Sequence, residues 1–60
     1  MTANQFVEWR FSMGLDRSGA AKALGCSRTT IAAYENGKVK IPLYFALACA
    51  ALKAGLKPLG

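Results

Sequence analysis

The chain has no histidine, three acidic residues, two cysteines and two prolines in a length of 60. With no histidine and no nucleophile beside a base, general acid–base or nucleophilic catalysis has nothing to work with. An enzyme is not expected. Cys26 and Cys49 lie in apolar surroundings, with neither CxxC spacing nor a histidine to complete a ligand set. That argues against zinc, and no metal or cofactor is expected. No secretory signal is visible, so both thiols read as small buried hydrophobes in a reducing cytoplasm. Long apolar runs are missing too. The longest, Ile41 to Leu52, falls short of the ~20 residues that span a bilayer. Strand signals are absent, since β-branched residues are scattered and no four residues alternate cleanly between apolar and polar. Neither repeats nor linkers nor low-complexity segments interrupt the chain. What remains is one all-α domain over residues 1–60.

Two quantities are high instead of low. Hydrophobic residues make up 53%, so either the core is efficient or some apolar surface is covered by a partner. Eight Lys and Arg against the three acids give a net charge of +5. That balance suits a polyanion, because neutralising phosphates releases condensed counterions. Arg17, Arg28, Lys38 and Lys40 cluster in the middle of the chain, which matters more than the total.

Helix signals divide the chain in four. Asn4 or Thr2 can cap a first helix running to about Met13, ended by Gly14. Its apolar face, with Phe6, Met13, Trp9 and Val7, also carries Arg10. A cation there needs a partner, and Glu35 is the candidate; the pair is read as structural. Asp16 caps a second helix, Arg17 to Leu24, ended by Gly25. Its interior is rich in small residues, and Gly19 costs about 1 kcal/mol against alanine. Small side chains there let helices approach closely and leave room for Trp9, Phe45 and Tyr34. Ser27 caps the third helix, with Ile31 and Tyr34 facing inward and Glu35-Asn36-Gly37 closing it. Pro42 suits the first turn of a fourth, which runs to about Ala54 before Gly55. It carries no charge before Lys53 and is expected to be buried on more than one side.

The stretch Gly25 to Gly37 is the most informative. Arg28, Thr29 and Thr30 fall in the first turn after the Ser27 cap. A basic side chain and two hydroxyls in that turn are what a reader of the DNA major groove needs, with the partner helix crossing the backbone. This places a helix-turn-helix at about residues 16–36.

From Phe6 to Leu56 the chain resembles the phage repressor and Cro family of helix-turn-helix proteins. The likeness rests on Gly14-Leu15, Ala21, Leu24-Gly25, Ser27, Ile31, Glu35-Asn36-Gly37, Lys40, Pro42 and Leu52. It implies a compact lambda-repressor-like fold of four or five helices. It also implies base-facing positions for Arg28, Thr29 and Ala33, and phosphate contacts from Arg17, Ser27, Thr30, Asn36, Lys38 and Lys40. The Arg10–Glu35 pair matches a buried ion pair of some members. Departures are Arg17 where glutamine is usual, and Ala20 where a larger aliphatic is usual. The sequence also ends near Gly60, where many relatives add a fifth, dimer-forming helix.

The reading is a sequence-specific repressor or small autoregulator, of the Cro or anti-CRISPR-associated kind, binding a palindromic DNA operator as a homodimer. No membrane partner and no small-molecule ligand are expected. Without a fifth helix, the expected dimer contact uses Leu52, Leu56 and Leu59. The alternative keeps the fold but binds a protein, as an antitoxin component or phage inhibitor would, and the apolar fourth helix is its main support.

Overall fold

Each helix begins and ends on local chemistry. In the computed structural model, which describes residues 1–59, four α-helices follow one another: α1 Ala3–Ser12, α2 Arg17–Leu24, α3 Arg28–Glu35 and α4 Leu43–Lys53. Thr2 caps α1 in a reciprocal box with Gln5: the Thr2 hydroxyl accepts from the Gln5 amide, and the Thr2 amide donates to the Gln5 side chain. Asp16 and Ser27 cap α2 and α3 by accepting from the amides of Gly19 and Thr30. Pro42 is the N-cap of α4, one residue before the first turn expected for it.

The turn between α2 and α3 is short because Gly25 takes a left-handed conformation at φ 71°. The amide of Cys26 then reaches back to the carbonyl of Ala21 at 3.0 Å. A Cβ at Gly25 would meet no neighbour, so the glycine is needed for its backbone angle and not for space. Gly19 differs. An added Cβ there would lie 3.1 Å from the Asp16 carboxylate and 3.2 Å from Leu15. The room at Gly19 is therefore used by its own helix cap, whereas the buried small residues of α2 are Ala20 and Ala21.

The core is aromatic. Phe6 is fully buried and lies 5.7 Å from Trp9 in a stack, with Phe45 and Tyr34 edge-on at 5.6 and 6.4 Å. Such pairs add roughly 0.5–1.5 kcal/mol each beyond the area they bury. Ala20, Ala21, Ile31, Ile41 and Cys49 complete the cluster. Trp9 satisfies its buried indole N–H on the carbonyl of Cys49, at 2.8 Å, which ties α1 to α4.

Two expectations about burial are corrected. Cys49 is fully buried, but Cys26 sits at the turn and is only half-buried. More importantly, α4 is not buried on more than one side. Phe45 and Cys49 face the core, while Leu43, Tyr44 and Leu47 are 76%, 72% and 60% exposed. A single helix packed on a three-helix base has only one inner face, so uniform apolarity leaves the other face in solvent. Among the described residues no helix is long and apolar enough to cross a membrane.

Burial, helped by the nearby Cys26 thiol, pushes Cys49 up to about 11. Because the thiolate is the reactive form, Cys49 should resist alkylation at pH 8 until the domain opens. Mapping the labelled cysteine by mass checks this. Labelling as fast as in the denatured chain would show that α4 does not seat on the core.

Candidate nucleic-acid interface

The first turns of α2 and α3 meet at one surface. Arg17 and Ser18 from α2, and Arg28, Thr29 and Ala32 from α3, line an open concavity together with Asp16 and Arg10. Two helices whose starts share a hollow bring their backbone amides and first-turn side chains to the same place. Both carry arginine as first residue, and neither has an acid in its first turn. Cations at a helix N-terminus oppose the macrodipole by about 0.3–1 kcal/mol, so helix stability does not account for these two residues.

The sequence-predicted residues distribute unevenly around this hollow. Arg28 and Thr29 are exposed within it, whereas Ala33 is half-buried and does not line it. The hydroxyls of Ser27 and Thr30 lie 3.0 Å apart and bond to each other, with Ser27 also capping the helix, so both are partly engaged. Asn36 is the exposed C-cap of α3, and Lys38 and Lys40 are exposed in the loop that follows. Among the described residues, Arg28, Lys38 and Lys40 have no acidic partner. Ser18 and Ala32 also line the hollow, although the sequence reading did not single them out. Ser18 follows Arg17 in the first turn of α2, which was the available signal.

Arg10 lines the hollow and is held by Glu35, which does not line it. Arg10 Nε donates to Glu35 Oε2 at 2.6 Å, and its Nη1 donates to the carbonyl of Leu15 at 3.1 Å. The Glu35 side chain is 4% exposed and that of Arg10 12%. Arg17 joins them, its Nε donating to Glu35 Oε1 at 3.0 Å. Burial works against ionisation of Glu35, but the hydrogen bonds and charges of Arg10 and Arg17 outweigh it. They hold the carboxyl below its ordinary value.

Of the residues expected to form a dimer contact, Leu52 packs partly against the core. Leu52 and Leu56 also line an apolar hollow of about 280 Å³ with Ala23, Leu24, Ala48 and Ala51. Leu59 beyond it is fully exposed.

An all-α fold with a short glycine turn between two helices, a cationic hollow at their N-termini and a part-buried Arg10–Glu35 pair is that of a helix-turn-helix domain. The chain belongs to the helix-turn-helix domain family, whose pattern matches residues 3–56. No curated protein matches it. It is similar throughout its length to the crystal structure of a candidate DNA-binding protein of Nitrosomonas europaea, at 28% identity and a TM-score of 0.88. The chain spans 42% of that protein's length.

Proposed function

We propose that the domain is a sequence-specific DNA-binding regulator of the repressor and Cro kind, reading a palindromic operator as a homodimer. The observation that carries this is the shared hollow, where Arg17 and Arg28 begin their helices against the macrodipole and face solvent together. The family and the likeness to a candidate DNA-binding protein support it. In this reading α3 enters the major groove, with Arg28, Thr29 and Ala33 toward base edges. Arg17, Ser27, Thr30, Asn36, Lys38 and Lys40 hold the sugar-phosphate backbone and fix register without reading sequence. Repression is steric, through occupation of a promoter operator. Two copies are needed because one recognition helix reads too few base pairs for useful specificity. The contact between them uses Leu52, Leu56 and Leu59.

A second reading, a protein-interaction module on the same fold, is favoured by the exposed Leu43, Tyr44 and Leu47 face of α4. One experiment separates the two. Duplexes enriched from a random pool are titrated at several salt concentrations with the wild type and with Lys38→Ala and Lys40→Ala. Each lysine removed should lower the slope of log affinity against log salt by about 1. Unchanged slopes in both variants would take the loop out of the interface. Sedimentation on the enriched duplex should find two protomers, and one protomer at saturation would overturn the homodimer. Failure to enrich any duplex would favour the interaction module.

A further inference from the structure

We infer that Glu35 is a positioning residue for DNA contact as well as a structural one: it aims Arg17 at a backbone phosphate. The inference rests on the DNA-reading proposal above and adds a role for a carboxylate that cannot itself approach DNA. Glu35 ends α3 with its side chain 4% exposed, and its two oxygens serve two arginines of opposite character. Arg10 is buried to 12% exposure and bound again at the Leu15 carbonyl. Its charge is already balanced by Glu35. Arg17 is a second cation on that balanced pair, 54% exposed and lining the hollow beside Arg28. An ion pair with so exposed an arginine contributes little to folding, so charge balance does not account for it.

The geometry accounts for it better. Arg17 donates to Glu35 through Nε, the nitrogen nearest its aliphatic stem. Among the described residues its two Nη groups have no acceptor. Fixing Nε on a buried, doubly held carboxylate sets the plane of the guanidinium and leaves the Nη fork free. That fork is the part that matches two phosphate oxygens. Glu35 is itself held by Arg10 from α1, so a part-buried pair behind the surface reaches it through one carboxylate. The order of the side chain is then established during folding and not during binding. For one long side chain that saving corresponds to about 2- to 10-fold in affinity. Arg28, by contrast, has no carboxylate behind it and remains free to search base edges.

The test is a cycle on the enriched duplex. Arg17→Ala is measured in the wild type and in the Arg10→Met/Glu35→Leu background, which removes the anchor without stranding a buried charge. In the wild type Arg17→Ala should lower the salt slope by about 1 and weaken binding. In the anchorless background, which keeps the Arg17 charge, the slope should match wild type. Affinity there should already be 2- to 10-fold lower, and removing Arg17 should cost correspondingly less. Equal losses in both backgrounds would overturn the positioning role while leaving DNA binding intact. An unchanged slope on Arg17→Ala in the wild type would overturn the phosphate contact. No binding by the wild type would remove the DNA reading and this inference together. Arg17→Lys gives a check that leaves the buried pair untouched. A single ammonium cannot sit on Glu35 and present a fork, so it should keep the slope and lose 2- to 10-fold in affinity. Full affinity with lysine would count against orientation by Glu35.

Discussion

Glu35→Leu alone should be the most damaging substitution in the chain, at about 3–5 kcal/mol, because it strands a buried guanidinium. Arg10, 12% exposed, would keep only the Leu15 carbonyl and the face of Phe11, whose ring centre lies 4.8 Å from its guanidinium carbon. A domain of this size has roughly 3–9 kcal/mol of stability in all, so most of the variant should be unfolded. Arg10→Met is expected to be milder, since Glu35 keeps Arg17 at 3.0 Å. Replacing both residues should recover much of the loss, as apolar isosteres in place of a buried pair often do. Thermal melts followed by circular dichroism and by the fluorescence of Trp9 measure all three. A Glu35→Leu variant as stable as wild type would show that the pair is not structural. The acid limb gives a further check. Glu35 has a folded value below its ordinary 4.5, so its contribution is present above that ordinary value. It is lost as pH falls through the lower folded value. Between pH 6 and pH 3 the double variant should therefore lose less stability than wild type.

The helix boundaries were legible because caps are local. Asp16, Ser27 and Gly25 act within four residues of themselves, and the sequence contains that whole interaction. The choice between Asn4 and Thr2 was open to the same logic, since Thr2 followed three residues later by Gln5 is a capping box. Long-range partners were legible only where burial forced one. Arg10 on an apolar face demands an anion, and Glu35 was the one acid placed to supply it. Arg17 shows no such conflict in sequence. Its bond to a residue 18 positions away depends on how α2 crosses α3, which no spacing encodes. The face that α4 turns outward was illegible for a related reason. From Leu43 to Leu52 no charge marks a solvent side, so packing alone decides that Phe45 goes in and Tyr44 stays out. The bond from Trp9 to the Cys49 carbonyl is likewise a product of that packing.

Arg28→Ala should separate stability from binding by moving them in opposite directions. Arg28 opens α3 with no acid in the first turn and no acidic partner among the described residues, so it stands unrelieved against the helix macrodipole. Alanine removes that opposition and has the better helix propensity, which should raise stability by a few tenths of a kcal/mol. The Ser27 cap on the Thr30 amide is untouched. On the enriched duplex the same change should cost about 1–3 kcal/mol, because a guanidinium can bond guanine O6 and N7 together and alanine can bond neither. The loss should be concentrated at one base pair per half-site, with preference relaxed there and kept elsewhere. Binding is measured to the duplex and to its single-base variants, alongside thermal melts of both proteins. A loss spread evenly over every duplex would move Arg28 from a base edge to a phosphate. Unchanged affinity would take it out of the interface. A fall in stability matching the fall in binding would mean that the residue supports the fold, and the reading of α3 as the recognition helix would lose its strongest side chain.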